Sequence, residues 1–147
     1  MRVALFLHLL SDVVWIGGMF LAYMAVRPAA LEVLEPPQRL RLWAGIFRRF
    51  FLWVWVAVLL ILVSGLWMMG QMRPVPANVQ AMAAIGIVMM AIFLHVFFAP
   101  FARLKRAVAA EDWKGGGAAL NQIRILVGVN LVLGFAAIAV AVLSFPG

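Results

Sequence analysis

The sequence has no cysteine, a single tyrosine and only 12% charged residues among its 147 positions. Without cysteine there is no thiolate to hold zinc or an iron–sulfur cluster, no cysteine nucleophile and no disulfide framework. An ordinary soluble domain carries about 25% charged residues, so half that share argues against a cytoplasmic enzyme, a disordered tail and a secreted scaffold alike. A Walker loop, a dinucleotide fingerprint, an HExxH motif and a serine set up as a nucleophile are also missing, so any chemistry must come from a bound metal or redox cofactor. What the chain has in abundance is apolar side chain. Hydrophobic residues make up 67% of it, against roughly 45–50% in a soluble protein. A globule of this size cannot hide that much, and the chain belongs in a bilayer.

A membrane-spanning helix needs about 20 mostly apolar residues. Four stretches meet that requirement, at about 3–26, 50–69, 79–102 and 123–143. The first follows Arg2 and has the outline of a signal peptide. Its apolar run is too long for one, however, and it contains His8, Asp12 and Gly17-Gly18. It reads as a retained helix. Ten of the 12 Lys and Arg residues lie between spans one and two, between spans three and four, or, for Arg124, at the edge of span four. By the positive-inside rule both basic loops are cytoplasmic and both termini face outward. The net charge of +7 is then a topology signal, and nucleic acid is not an expected partner.

The connections sharpen this outline. Glu35-Pro36-Pro37 reads as a stop followed by a helix start, because proline suits a first turn. Helix two is then expected to begin before the membrane. Helix three is expected to continue past Pro100 with a kink and to stop at Gly115-Gly116-Gly117. Short loops make antiparallel neighbours. The expected fold is therefore an all-α integral membrane protein, a four-transmembrane-helix up-down bundle forming a single membrane domain over 1–147.

Polar residues inside the spans are few: His8, Ser11, Asp12, Ser64, His95 and Asn130. A central Asp costs at least about 2.5–3.5 kcal/mol in a bilayer, so such residues are candidates for function. His8, Asp12, Trp15 and Met19 make one narrow stripe at 3.6 residues per turn. His8 and Asp12 are i,i+4 neighbours, and a carboxylate on one imidazole nitrogen frees the other for a metal. Mutual neutralisation at a helix contact is the competing reading. His95 shares a helix face with Ala81, Ala84, Val88, Ala91, Ala99 and Ala102, and small residues mark close packing, so His95 is expected to point inward and Met82 to meet lipid. Asn130 with Gly134, Ala137 and Ala141, and Ser64 with Trp53, Ala57 and Met68, mark two further interior faces. The six tryptophans read mostly as interfacial or lipid-facing anchors.

His8 lies ~8 Å and His95 ~24 Å below the outer edge, at 1.5 Å rise per residue. A vertical gap of about 16 Å is too large for both to ligate one haem iron. Nine methionines supply soft thioethers suited to Cu(I), and Met68, Met69 and Met72 lie at about the depth of His8. Candidate metal ligands are therefore His8, Asp12, Met68 and Met72.

The run from His8 to Phe20, H-L-L-S-D-V-V-W-I-G-G-M-F, followed by Arg27-Pro28, resembles the CopD-like copper-resistance membrane family. That family's shared pattern is a His one or two turns before W-x-G-G. Arg48–Trp55, Ser64-Gly65, His95 and Val129–Gly134 fit as well, so the likeness covers most of the chain. The resemblance implies a multi-pass protein of a bacterial-type inner membrane, concerned with copper uptake or homeostasis. Larger members carry more helices, and this chain resembles a short form. The architecture is also similar, more weakly, to HemJ-type protoporphyrinogen oxidase, which is associated with haem b. In either family His8 is the position carried over first and His95 second. Three functions compete. One is Cu(I) handling at His8. Another is a haem b oxidoreductase ligated by His8 or His95, with Arg48, Arg49 or Arg103 on the propionates and a quinone or porphyrin as electron partner. The last is a non-catalytic subunit, in a homodimer or a larger membrane complex, whose histidines only pack.

Overall fold

The computed structural model describes residues 1–143, and all the regular structure among them is helical. Helix α1 (Arg2–Leu21) passes through a π-helical turn, Ala22–Val26, directly into α2 (Arg27–Val33). After an extended Leu34, Glu35 precedes α3 (Pro36–Gly70) with Pro36 in its first turn, as the Glu-Pro-Pro sequence predicts. A short loop leads to α4 (Ala77–Phe98), which breaks at Ala99 and resumes as α5 (Pro100–Ala109); α6 (Trp113–Leu143) closes the bundle. These segments form four passes of 31 to 35 residues, each long and apolar enough to cross a membrane. Each is longer than the apolar stretch read from the sequence, because the helices run on into the basic end.

The kink at Pro100 is where the sequence places it, since proline cannot donate to the preceding turn. The stop is not. Gly115-Gly116-Gly117 lies inside α6, and the chain turns three residues earlier, with Glu111 in the left-handed region at φ 54°. Asp112 is the reason: its Oδ1 accepts a hydrogen bond from the Gly115 amide at 2.9 Å. That is an N-cap, and it outweighs the low helix propensity of three glycines.

Helix α1 packs along α3, and both α4 and α5 pack along α6, while α3 and α4 make little contact with each other. The core of the basic half is aromatic. Trp43, Phe47 and Phe51 stack along α3, the last pair at 5.1 Å and 10° between ring planes. Phe51 meets Phe101 edge-on at 5.0 Å and Phe93 at 5.5 Å, and Trp15 of α1 reaches Phe93 at 6.2 Å. Trp15 and Trp43 are therefore core residues, whereas Trp53 and Trp67 are exposed on the outside as the anchor reading expects. Trp53 departs from the interior face assigned to it beside Ser64. Because Phe51 joins three helices, Phe51→Ala is expected to cost about 3–5 kcal/mol. Thermal unfolding in detergent is the measurement.

The aromatic core also overturns the face predicted for α4. Its buried residues are Met89, Phe93 and Val96, with the partly buried Met82 two turns before Met89 on the same stripe. The alanine face, including Ala81, Ala84, Ala91 and His95, is exposed. Small residues pay when helices meet closely, but here α4 stands off from α1 and α3 and needs large side chains to fill the gap. On α6 the predicted face is inside: Asn130 and Gly134 are buried, and the Asn130 amide donates to the Met89 carbonyl at 3.2 Å.

Candidate metal site

The gap between α3 and α4 at the end away from the basic loops is a cavity of about 330 Å³. It is enclosed by α1, α3, α4 and α6, and Trp15 and Met89 line its inner part. Six methionines line it, Met68, Met69, Met72, Met82, Met89 and Met90, out of nine in the chain. The ionisable groups on its wall are His8 and Asp12. Met82, expected from sequence to face lipid, is in this wall because the α4 face is rotated from the one predicted.

His8 is held by α3 as well as by its own helix. Its Nδ1 lies 2.9 Å from the Ser64 hydroxyl. That hydroxyl is in short contact with the Leu60 carbonyl, and its oxygen is 3.3 Å from the carbonyl of Ile61. A carbonyl oxygen only accepts, so the Ser64 proton points back along α3 and the Ser64 oxygen accepts from His8 Nδ1–H. In the neutral ring the lone pair is then on Nε2. Asp12 Oδ2 lies 3.9 Å from that nitrogen, beyond hydrogen-bond distance. A neutral His8 thus sets a second acceptor opposite Asp12, an arrangement that a cation between them would satisfy, whereas a protonated His8 pairs with Asp12 directly. The His8 side chain is 12% exposed and that of Asp12 31%, so both are withdrawn from the outer surface yet reachable from the cavity.

The neighbouring glycine makes the room. A Cβ on Gly65 would stand 3.2 Å from His8 Cε1, so Ser64 anchors the ring while Gly65 lets it lie against α3. This partner was missed in the sequence, where Ser64 marked only an interior face. The signal available was a small hydroxyl followed by glycine six residues before the end of its helix, level with a histidine six residues into α1.

The remaining candidates are dispersed. Met68 and Met72 share the cavity with His8 and Asp12. His95 does not: it sits exposed in the last turn of α4, on the outer face, and is not in one site with His8. Arg48 and Arg49 are exposed, and Arg49 donates to the Gly45 carbonyl at 3.1 Å. They are 15 to 16 residues from Ser64 along α3, about 22–24 Å at helical rise, so they are remote from the His8 cavity. Among the described residues no three His, Cys, Asp or Glu side chains cluster as a metal site. A closed structural zinc centre, which uses four such ligands, is therefore not built here. The side chains that share the cavity with His8 and Asp12 and carry a further donor atom are the methionine thioethers.

No curated protein and no solved structure matches the chain. A family model described as copper resistance protein D matches residues 44–144. The match takes in Ser64, Gly65 and all six cavity methionines but not His8 and Asp12, which α1 brings to them. The chain belongs to the copper resistance protein D family.

Proposed function

We propose that the protein handles Cu(I) as its cargo, taking it into the cavity at His8 Nε2 with Asp12 alongside and thioethers from Met68, Met72 and Met82. The observation that carries this reading is the convergence of two thirds of the chain's methionines on the cavity that holds the only intramembrane imidazole–carboxylate pair among the described residues. Thioether ligands select Cu(I) over harder ions, and imidazole binds copper among several transition metals. Ordinary gap-filling by methionine accounts for single residues and not for this concentration around a lone pair. The groups present fit a soft monovalent ion, and the carboxylate offsets its charge in an otherwise apolar wall. With the basic loops placed in the cytoplasm, the cavity lies toward the outer side of an inner membrane, with both termini outward. Trp15, Phe51, Phe93 and Phe47 fill the interior between this cavity and the basic end. That filling favours capture and hand-over over conduction through one chain.

Anaerobic titration of the detergent-purified protein with Cu(I) against a competing chelator tests the proposal. Met82→Leu and Met68→Leu are each expected to weaken binding by about tenfold. Met24→Leu, an exposed methionine outside the cavity, is expected to leave it unchanged. Equal affinities in all three variants would overturn the site. A Soret band in the purified protein that sharpens on reduction and disappears in His8→Ala would replace copper with haem.

A further inference from the structure

The opposite, basic end of the bundle holds a second cavity, of about 290 Å³, between the π-helical turn, the start of α3 and the first half of α6. Three arginines line it, Arg27, Arg39 and Arg124, and no acidic residue does. All three are half-buried. The Arg27 guanidinium lies over the Tyr23 ring at 5.7 Å. Arg39 donates to the Leu34 carbonyl at 3.3 Å, and Arg124 donates twice to Asn121 Oδ1, at 2.8 and 3.1 Å. Each has a neutral acceptor or an aromatic face, and none has a carboxylate partner among the described residues. Of the chain's five acids, Asp12 is in the other cavity, Glu111 pairs with Arg41 at 3.3 Å and Asp112 caps α6, while Glu32 and Glu35 are exposed and form no ion pair with these arginines among the described residues.

Three partly desolvated cations without a counterion are unfavourable unless an anion joins them. Guanidinium is suited to phosphate, which it binds through paired N–H donors. The rest of the wall is apolar and aromatic, with Leu40, Trp43, Leu120 and Val127 leading into the bundle. The π-helical turn Ala22–Val26 contributes two of the lining residues, Ala22 and Tyr23, and such turns commonly mark a binding site. Charge at one end and grease at the other describe an amphiphile.

We propose that this cavity binds an anionic membrane phospholipid, its headgroup phosphate held among Arg27, Arg39 and Arg124 and the upper part of an acyl chain against the apolar wall. Basic pockets between transmembrane helices recognise anionic headgroups in this way. The site is independent of copper binding.

Native mass spectrometry of the intact protein, released from micelles containing phosphatidylglycerol or phosphatidylcholine, reads the occupancy. Phosphatidylglycerol is expected to be retained in preference. In R39Q/R124Q that retention should fall about 30-fold, roughly fivefold for each arginine. R106Q/K114Q removes the same charge from exposed positions on the same end and should bind as the parent does. Gly117 lines the cavity, and a Cβ there meets nothing within 4 Å, so G117L fills the space with every charge left in place and should also lose the lipid. Equal retention of the two lipids, equal loss in the two double variants, or undiminished binding by G117L would each overturn the proposal. Displacement of the lipid by inorganic phosphate at matched concentration would make the site one for a free anion instead.

Discussion

Replacing His8 with alanine should lower Cu(I) affinity by on the order of 100-fold or more, the largest effect expected of any single change in the cavity. The ring supplies the strongest nitrogen donor there, and its removal leaves Asp12 and thioethers alone. Ser64→Ala is the finer test. It leaves every proposed ligand in place and removes only the acceptor that holds Nδ1–H. Loss of such an outer partner typically costs 10–100-fold in metal affinity, so about tenfold weaker binding is expected, with the fold intact. If His8→Ala binds copper like the parent, the His8–Asp12 pair only neutralises itself at the α1–α3 contact. If His8→Ala fails but Ser64→Ala is silent, the imidazole is a ligand whose orientation the cavity sets without α3.

Gly17 and Gly18 should respond oppositely to a side chain, although they are adjacent and chemically identical. A Cβ on Gly17 meets nothing within 4 Å, whereas on Gly18 it would fall 2.3 Å from Phe50 Cε2 and 2.4 Å from Cζ. Gly17→Leu is expected to gain up to about 1 kcal/mol from helix propensity. Gly18→Leu should lose about 3 kcal/mol by overpacking and, by driving α1 off α3, should weaken copper binding as well. Thermal unfolding and Cu(I) titration of both variants measure this. Adding Phe50→Ala to Gly18→Leu should recover most of the loss, a coupling that non-contacting positions would not show. Equal behaviour of the two glycines would mean that α1 does not seat on Phe50.

The glycine pair shows how the sequence motif and the packing relate. In sequence, W-x-G-G is a pattern of resemblance in which both glycines count alike. In the bundle one glycine faces out and the other receives a phenylalanine from α3. The same holds for Ser64-Gly65, where the hydroxyl and the missing Cβ do separate jobs for one imidazole.

The number of membrane passes, their all-helical nature, the Glu-Pro-Pro restart, the Pro100 kink and the inward stripe of His8, Asp12, Trp15 and Met19 were legible in the sequence. Each depends on local quantities: apolar run length, a missing N–H, a period of 3.6. What only the tertiary structure decided was which way α4 turns, and with it the composition of the site. Inside a membrane all faces of a helix are apolar, so periodicity does not separate core from lipid as it does in water. Residue size was the remaining cue, and it misled: the alanines and His95 face out because the wide gap between helices is packed by Phe93 toward the basic end and lined by Met89 and Met82 around the cavity. That rotation removes one histidine from the interior and adds three methionines of α4, Met82, Met89 and Met90, to the cavity that α1 and α3 had begun.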